Sequence, residues 1–296
     1  MEAINVSQLS NSFLLQLNRD LAKEMKGDVV FIKCALYPPL DDEFRVVTEE
    51  MKRGRKRKKD ELIVILETMG GIMETVERLV AVMRAYYRHV SFVIPNYAYS
   101  AGTVLALSGD KILMDYYSVL GPIDPQYRES DGNSVPGYGY LAKYKEITLT
   151  INESDDLSKC RAELAYLVKR FDPALLFHIE QGIEHGITLI SEWLPKYKFK
   201  DWKVTKSTGR KVTAKMKKER ATVIAKTLGN AAKWHSHGRG ISMRDLRGSE
   251  IKLLIDDFGS DPNLSIKIKN YHGLAVDFFS STRGYIHSRL GIRRVL

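Results

Sequence analysis

The chain has 296 residues, 44% of them apolar, which is enough for one large domain with a sizeable core and excludes a disordered chain. Its net charge of +10 invites anionic partners, while two cysteines, Cys34 and Cys160, exclude a disulfide framework and lack metal-ligand spacing. With no basic-then-apolar leader, and no apolar run near the ~20 residues that cross a bilayer, a cytoplasmic setting is expected, with any membrane contact peripheral.

Residues 10–26 carry Phe13, Leu14, Leu17, Leu21 and Met25 near helical spacing, so the first element is an amphipathic helix. "DVVFIKCAL" reads as a buried strand, and "PLDDEFRVVTEEMKR" as a helix with Asp41 or Asp42 as its N-cap. The basic block "KRGRKRKKD" reads as a solvated loop whose charge guards a strand edge. "ELIVILET" is a continuous apolar run of the kind covered on both faces in a parallel sheet, closed by Met69-Gly70-Gly71. A helix over 72–89 follows, then the strand "VSFVIPN", a short helix over 101–108 and the strand "KILMD". Strands alternating with helices predict an α/β fold with a mostly parallel sheet. "SVLGPIDPQ" is a rigid turn region, 134–140 reads as loop, and 163–194 as a helix broken near Asp172-Pro173. "DWKVTKSTGRKVT" alternates about a Ser-Thr-Gly turn, predicting a hairpin, and a helix over 214–232 precedes "KWHSHGRGIS".

Gly70-Gly71 and Ser100 each lie at the carboxyl end of a predicted parallel strand, and the two strands are consecutive. Ligands of open parallel sheets gather there. Glycines let backbone N–H groups approach a substrate without a Cβ in the way. Acyl transfer needs a hydroxyl nucleophile and donors aimed at the developing oxyanion. Ser100 fits the first role; the N–H groups of Gly70 or Gly71 and of Ala101 fit the second. The G-x-S-x-G elbow of α/β-hydrolases is absent.

"ILETMGGIMETVERLVAVMR", "VIPNYAYSAGTVLALSGDKILMD" and "SVLGPIDPQ" resemble the Clp-type serine proteases, in particular the serine dehydrogenase proteinase family. Those are relatives of signal peptide peptidase A and of the Clp protease proteolytic subunit. "KWHSHGRGIS" and "NYHGLAVDFFSSTRGYIHS" resemble the family's C-terminal part more thinly. The resemblance implies a Clp/crotonase-like spiral of parallel strands and helices, here with a basic hairpin insertion and a helical C-terminal part. On that reading residues 1–195 form the protease core with its N-terminal helix, 196–220 the hairpin insertion, and 221–296 the end of the core and an oligomerisation segment. The implied function is a serine endopeptidase that forms an acyl-enzyme on Ser100, needs no cofactor or metal, cleaves peptides or unfolded proteins and forms homo-oligomers.

The Clp protease subunit has a histidine base roughly 25 residues after its serine, where this chain has none. The likeness to signal peptide peptidase A makes Lys143 of "YLAKYKEI" the first choice of base, ahead of Lys145. A lysine serves only if burial or neighbouring cations bring its pKa towards neutrality. His235 and His237 of "WHSHGRG", two apart, would share one face of a strand, and Asp124 or Asp115 could orient a base. Asp115 reads equally as a strand-end cap. From Lys196 to Arg220 eleven Lys/Arg stand against Asp201 and Glu219, a segment open to nucleic acid or an acidic membrane surface. Two other readings stay open: an inactive Clp-like module that binds peptide or nucleic acid, and acyl-CoA chemistry on a crotonase-type scaffold.

Overall fold

In the computed structural model, which describes residues 6–53, 60–128, 134–205, 208–281 and 284–295, the chain begins with helix α1 (Val6–Glu24) and strand β1 (Asp28–Lys33). Then come α2 (Leu40–Lys52), β2 (Glu61–Glu67), α3 (Met73–Tyr86), β3 (His89–Val93), the short β4 (Tyr97–Ala98), α4 (Ala101–Leu107) and β5 (Lys111–Met114). Each predicted strand and helix of this stretch is present. One detail differs: α2 starts at Leu40, so Asp41 and Asp42 sit in its first turn, where both pair with Arg78 instead of capping.

After β6 (Val119–Leu120), the expected loop at 134–140 is replaced by a small hairpin, β7 (Gln126–Arg128) with β8 (Ser134–Pro136), leading into helix α5 (Gly137–Asn152). The predicted break at Asp172-Pro173 separates α6 (Arg161–Arg170) from α7 (Pro173–Lys196); Asp172 caps α7 by accepting from the Ala174 N–H at 2.8 Å. The basic hairpin is a single antiparallel bridge between Val204 and Lys211, closed by Thr205 N–H to Arg210 O at 2.9 Å and Val212 N–H to Lys203 O at 2.9 Å. Lys206 and Ser207 of its turn region, and residues 54–59 of the first basic block, lie outside the described residues.

The helix expected over 214–232 ends early, as α8 (Ala214–Leu228), and restarts beyond Gly229-Asn230 as α9 (Ala231–Trp234). Then follow β9 (Ile241–Ser242), α10 (Met243–Arg247), β10 (Asp256–Asp257), α11 (Pro262–Phe278), β11 (Tyr285–Ser288) and β12 (Gly291–Arg294).

The main sheet runs β10-β5-β3-β2-β1-β11-β12 and is parallel from β10 to β1; β11 and β12 add antiparallel strands at one edge. Alternation along the strands divides the core. Val30, Ile32, Leu62, Val64 and Leu66 pack under α2, α3, α4, α7 and α8. Val29, Phe31, Ile63 and Ile65 pack under α1 and α11. Both faces are covered, which is why these strands read as unbroken apolar runs. Each such buried side chain contributes about 1.5–3 kcal/mol. A second sheet, β4-β6-β9, has β4 and β6 parallel and β9 antiparallel to β6. This small sheet sets up the site.

Candidate active site

Beyond Glu67 the chain keeps extended geometry for one more residue. Thr68 N–H donates to Tyr97 O at 3.2 Å and Tyr99 N–H to Thr68 O at 3.0 Å, which ties the end of β2 to β4. The chain then turns at Gly70, where φ is +107°, a conformation that favours glycine. A Cβ on Gly70 would stand 2.9 Å from Ser100 Cβ and 3.4 Å from the Ala101 nitrogen. The glycine turn and the serine therefore touch. On the other side a Cβ on Gly71 would stand 2.2 Å from the Leu36 carbonyl oxygen, so glycine is required there as well.

The two glycines do not offer the same donor. Gly70 N–H donates to Thr68 Oγ1 at 3.1 Å. Gly71 is bridged to Leu36 through its neighbours, Leu36 N–H to Gly70 O and Ile72 N–H to Leu36 O, so its own N–H points away from Leu36. Among the described residues neither Gly71 N–H nor Ala101 N–H donates to a protein acceptor, the second because it opens a helix.

Ser100 itself has φ 52° and ψ −120°, a sparsely populated conformation for a residue with a Cβ, costing about 1–3 kcal/mol. The surroundings enforce it. Thr103 Oγ1 donates within reach of both Ala98 O (2.9 Å) and Gly121 O (2.8 Å), locking α4 to β4 and β6. A Cβ on Gly102 would meet Thr68 Cγ2 at 2.4 Å, and one on Gly121 would meet Tyr99 Cδ1 at 2.2 Å. The small residues of "YSAGT" and "LGP" are thus what this corner has room for.

Ser100 stands two residues beyond β4, Asp124 four beyond β6, and His237 four before the antiparallel β9. All three fall at one end of the small sheet. Asp124 is 1% exposed; its Oδ1 lies 2.9 Å from His237 Nδ1, and Gln126 Nε2 donates to its Oδ2 at 3.1 Å. A carboxylate only accepts, so Nδ1 carries the hydrogen, and the neutral ring in this orientation has its acceptor nitrogen at Nε2. His237 is 22% exposed. The segment holding it is pinned by Trp234 Nε1 donating to Thr227 O at 2.9 Å, and the segment holding Asp124 by Ile123 N–H to Leu228 O at 3.2 Å.

The other candidates lie elsewhere. Lys143 sits on α5, 67% exposed, with Nζ 2.7 Å from Glu146 Oε2, so the burial its expected role requires is missing. Lys145 is exposed on the same helix. His235 and His237 do not share a strand face: they precede β9 in a turn, and His235 is exposed with φ +62°. Asp115 accepts from Tyr117 N–H (2.9 Å) and Ser118 N–H (3.1 Å), which is the strand-end cap reading.

The fold is α/β with a mostly parallel sheet, and Ser100 stands on a strained strand-to-helix turn with a glycine pair against it. Residues 40–147 match the ClpP-like SDH-type serine proteinase family, which bears out the resemblance carried by the three motifs between Ile65 and Gln126; the thinner likeness at 233–242 and 270–288 lies outside the matched stretch. Gly70, Gly71, Ser100 and Asp124 lie inside the matched stretch and His237 outside it. Two proteins of Methanocaldococcus jannaschii, the uncharacterized proteins MJ0137 and MJ1495, are 37% and 30% identical over 90 residues, or 30% of this chain. The match covers 32% and 31% of those proteins, so the chain spans about a third of the length of the curated relatives it matches. Among solved structures, a membrane-bound stomatin-specific protease is similar at 19% identity and TM-score 0.33, over 46% of this chain and 67% of that one. A peptidase from Plasmodium falciparum is similar at 16% identity and TM-score 0.34, over 61% and 80%. No helix among the described residues is long and apolar enough to cross a membrane.

Proposed function

We propose that the chain is a serine peptidase whose nucleophile is Ser100 and whose base is His237, oriented by Asp124. The observation that carries this reading is the 2.9 Å His237–Asp124 pair, held at the same end of the small sheet as Ser100. A serine hydroxyl needs a base to take its proton as it attacks, and an imidazole with a free Nε2 is suited to that. Ser100 Oγ adds to the peptide carbonyl carbon while its proton passes to His237 Nε2. The carbonyl oxygen becomes an oxyanion facing the N–H groups of Gly71 and Ala101. As the intermediate collapses the C–N bond breaks, His237 returns the proton to the leaving amine, and the acyl group stays on Ser100. Water then attacks with His237 again as base, releasing the acid and the free serine. The buried Asp124 keeps the imidazole in the useful tautomer and stabilises it when charged.

This reading replaces a lysine base with a histidine, because Lys143 is solvated and already paired with Glu146. Peptides or unfolded segments are the proposed substrates, following the family match. Self-association is proposed as well, supported by exposed Leu149, Val168 and Phe177 on α5, α6 and α7.

A fluorophosphonate probe tests the chemistry. We expect wild type to be labelled, Ser100→Ala to be unlabelled, and His237→Gln to react at least about 100-fold more slowly. Lys143→Ala should label at the wild-type rate. Labelling that persists in Ser100→Ala ends the peptidase reading; a slow Lys143→Ala beside a normal His237→Gln would return the base to the lysine.

A further inference from the structure

A second buried carboxylate lies close behind the catalytic turn. Glu67, the last residue of β2, is 3% exposed and faces α11 on the side of the sheet away from α3 and α4. Its Oε1 is 2.8 Å from Lys33 Nζ at the end of β1, and the two residues are register partners. Its Oε2 is 2.6 Å from His272 Nε2 on α11, and Asn96 Nδ2 donates to the same oxygen at 3.3 Å. Four segments meet on one carboxylate: β1, β2, α11 and the chain just before β4.

Taking an ion out of water costs several kcal/mol unless its partners return that energy, and an apolar side chain in its place is often no less stable. Phe31, whose ring is 5.5 Å from that of His272, is an apolar neighbour of this cluster. A charge held at such a place calls for a reason other than stability, and the chain on either side of it supplies one. Thr68, the next residue, holds β4 by two backbone hydrogen bonds and holds the Gly70 N–H through Oγ1. Asn96 opens the segment that runs through β4 to Ser100, and its carbonyl accepts from Val119 N–H at 2.9 Å. One arm of the catalytic centre therefore leaves Glu67 through the chain to Gly71, and the other leaves it through Asn96 to Ser100.

We infer that Glu67 is a positioning residue, a common anchor that sets the distance between the nucleophile Ser100 and the oxyanion donor Gly71. Its catalytic consequence rests on the peptidase reading above; its mechanical consequence does not. The carboxylate stays charged under working conditions. Burial alone would raise its pKa, but hydrogen bonds from His272 and Lys33 more than reverse this and hold it at about 2.

The test compares Glu67→Gln and the milder His272→Gln with wild type by two readouts. In hydrogen exchange followed by mass spectrometry, both segments 68–72 and 96–101 should exchange faster in Glu67→Gln, with β3 and α7 unchanged. In turnover of a peptide substrate, kcat should fall by about 10- to 100-fold with KM within about twofold, since misplacement by an ångström is felt in the transition state first. His272→Gln should shift both readouts in the same direction and less far. Unchanged exchange in either segment overturns the anchor whatever the kinetics do. Faster exchange in both, in a protein whose wild type is neither labelled nor active, keeps the anchor and removes the peptidase reading.

Discussion

Ser100, Gly70 and Asp124 each hold a place that admits few other residues, and substitutions there separate chemistry from folding. A Cβ on Gly70 falls 2.9 Å from Ser100 Cβ at a φ of +107°, so Gly70→Ala should push the turn off the serine. We expect fluorophosphonate labelling about 100-fold slower with the far-ultraviolet dichroism unchanged; labelling at full rate would mean that the turn and the serine do not act together. Asp124→Asn should lower kcat by roughly 10³- to 10⁴-fold, because an amide at that position lets the imidazole turn its lone pair the wrong way. A loss under tenfold would sink the orienting role. The serine and the glycines were legible in the sequence because each follows its own strand directly. The pairing of Asp124 with His237 was not, since 113 positions separate them and no local spacing joins them. The exposure of Lys143 was illegible for a related reason: burial is a property of the folded neighbourhood, and "YLAKYKEI" carries no sign of it either way.

At the scale of elements, periodicity located β1, β2, β3, β5, α3 and α7, whose burial patterns are long and regular. It failed where an element is only two or three residues long. β4, β6 and β9 are such elements, and they are held by contacts with one another instead of by any pattern of their own. The site is built on these three, so its architecture was the least readable part of the chain. The helices α5, α6 and α7 add a surface. Large exposed apolar side chains are candidates for contact sites, and Leu149, Val168 and Phe177 are each exposed on one of these helices. In light scattering coupled to gel filtration we expect Val168→Glu with Phe177→Glu to give a smaller species than wild type. Equal masses for the two proteins would leave these helices without a role in assembly.

For the whole molecule, the balance of charge gives a definite acid limb. Burial pushes His287 down to about 4, with its Nδ1 2.5 Å from the Tyr271 hydroxyl and its Nε2 without a partner among the described residues. The unfolded chain takes up a proton at this residue near pH 6.5, and the folded chain does so only near pH 4. Its share of stability is complete above pH 6.5 and falls on the way down to 4, by on the order of 3 kcal/mol. The Glu67 contribution is complete above its ordinary 4.5 and is lost only as pH falls towards 2, so the two limbs do not coincide. Urea denaturation at pH 7.5 and pH 5 should show a clear loss of stability for wild type and a smaller one for His287→Gln; an equal loss in the two proteins would exclude the imidazole as the cause. The same region decides the order in which the fold can close. β11 lies antiparallel to β1, with Val30 opposite Ser288 and Lys33 opposite Tyr285. A chain folded only as far as α11 already holds Ser100, Asp124 and His237 but leaves the backbone of β1 bare along one side, open to any other strand it meets. Seating the β11–β12 hairpin therefore does more than extend the sheet: it shields the β1 backbone from pairing with a stray strand.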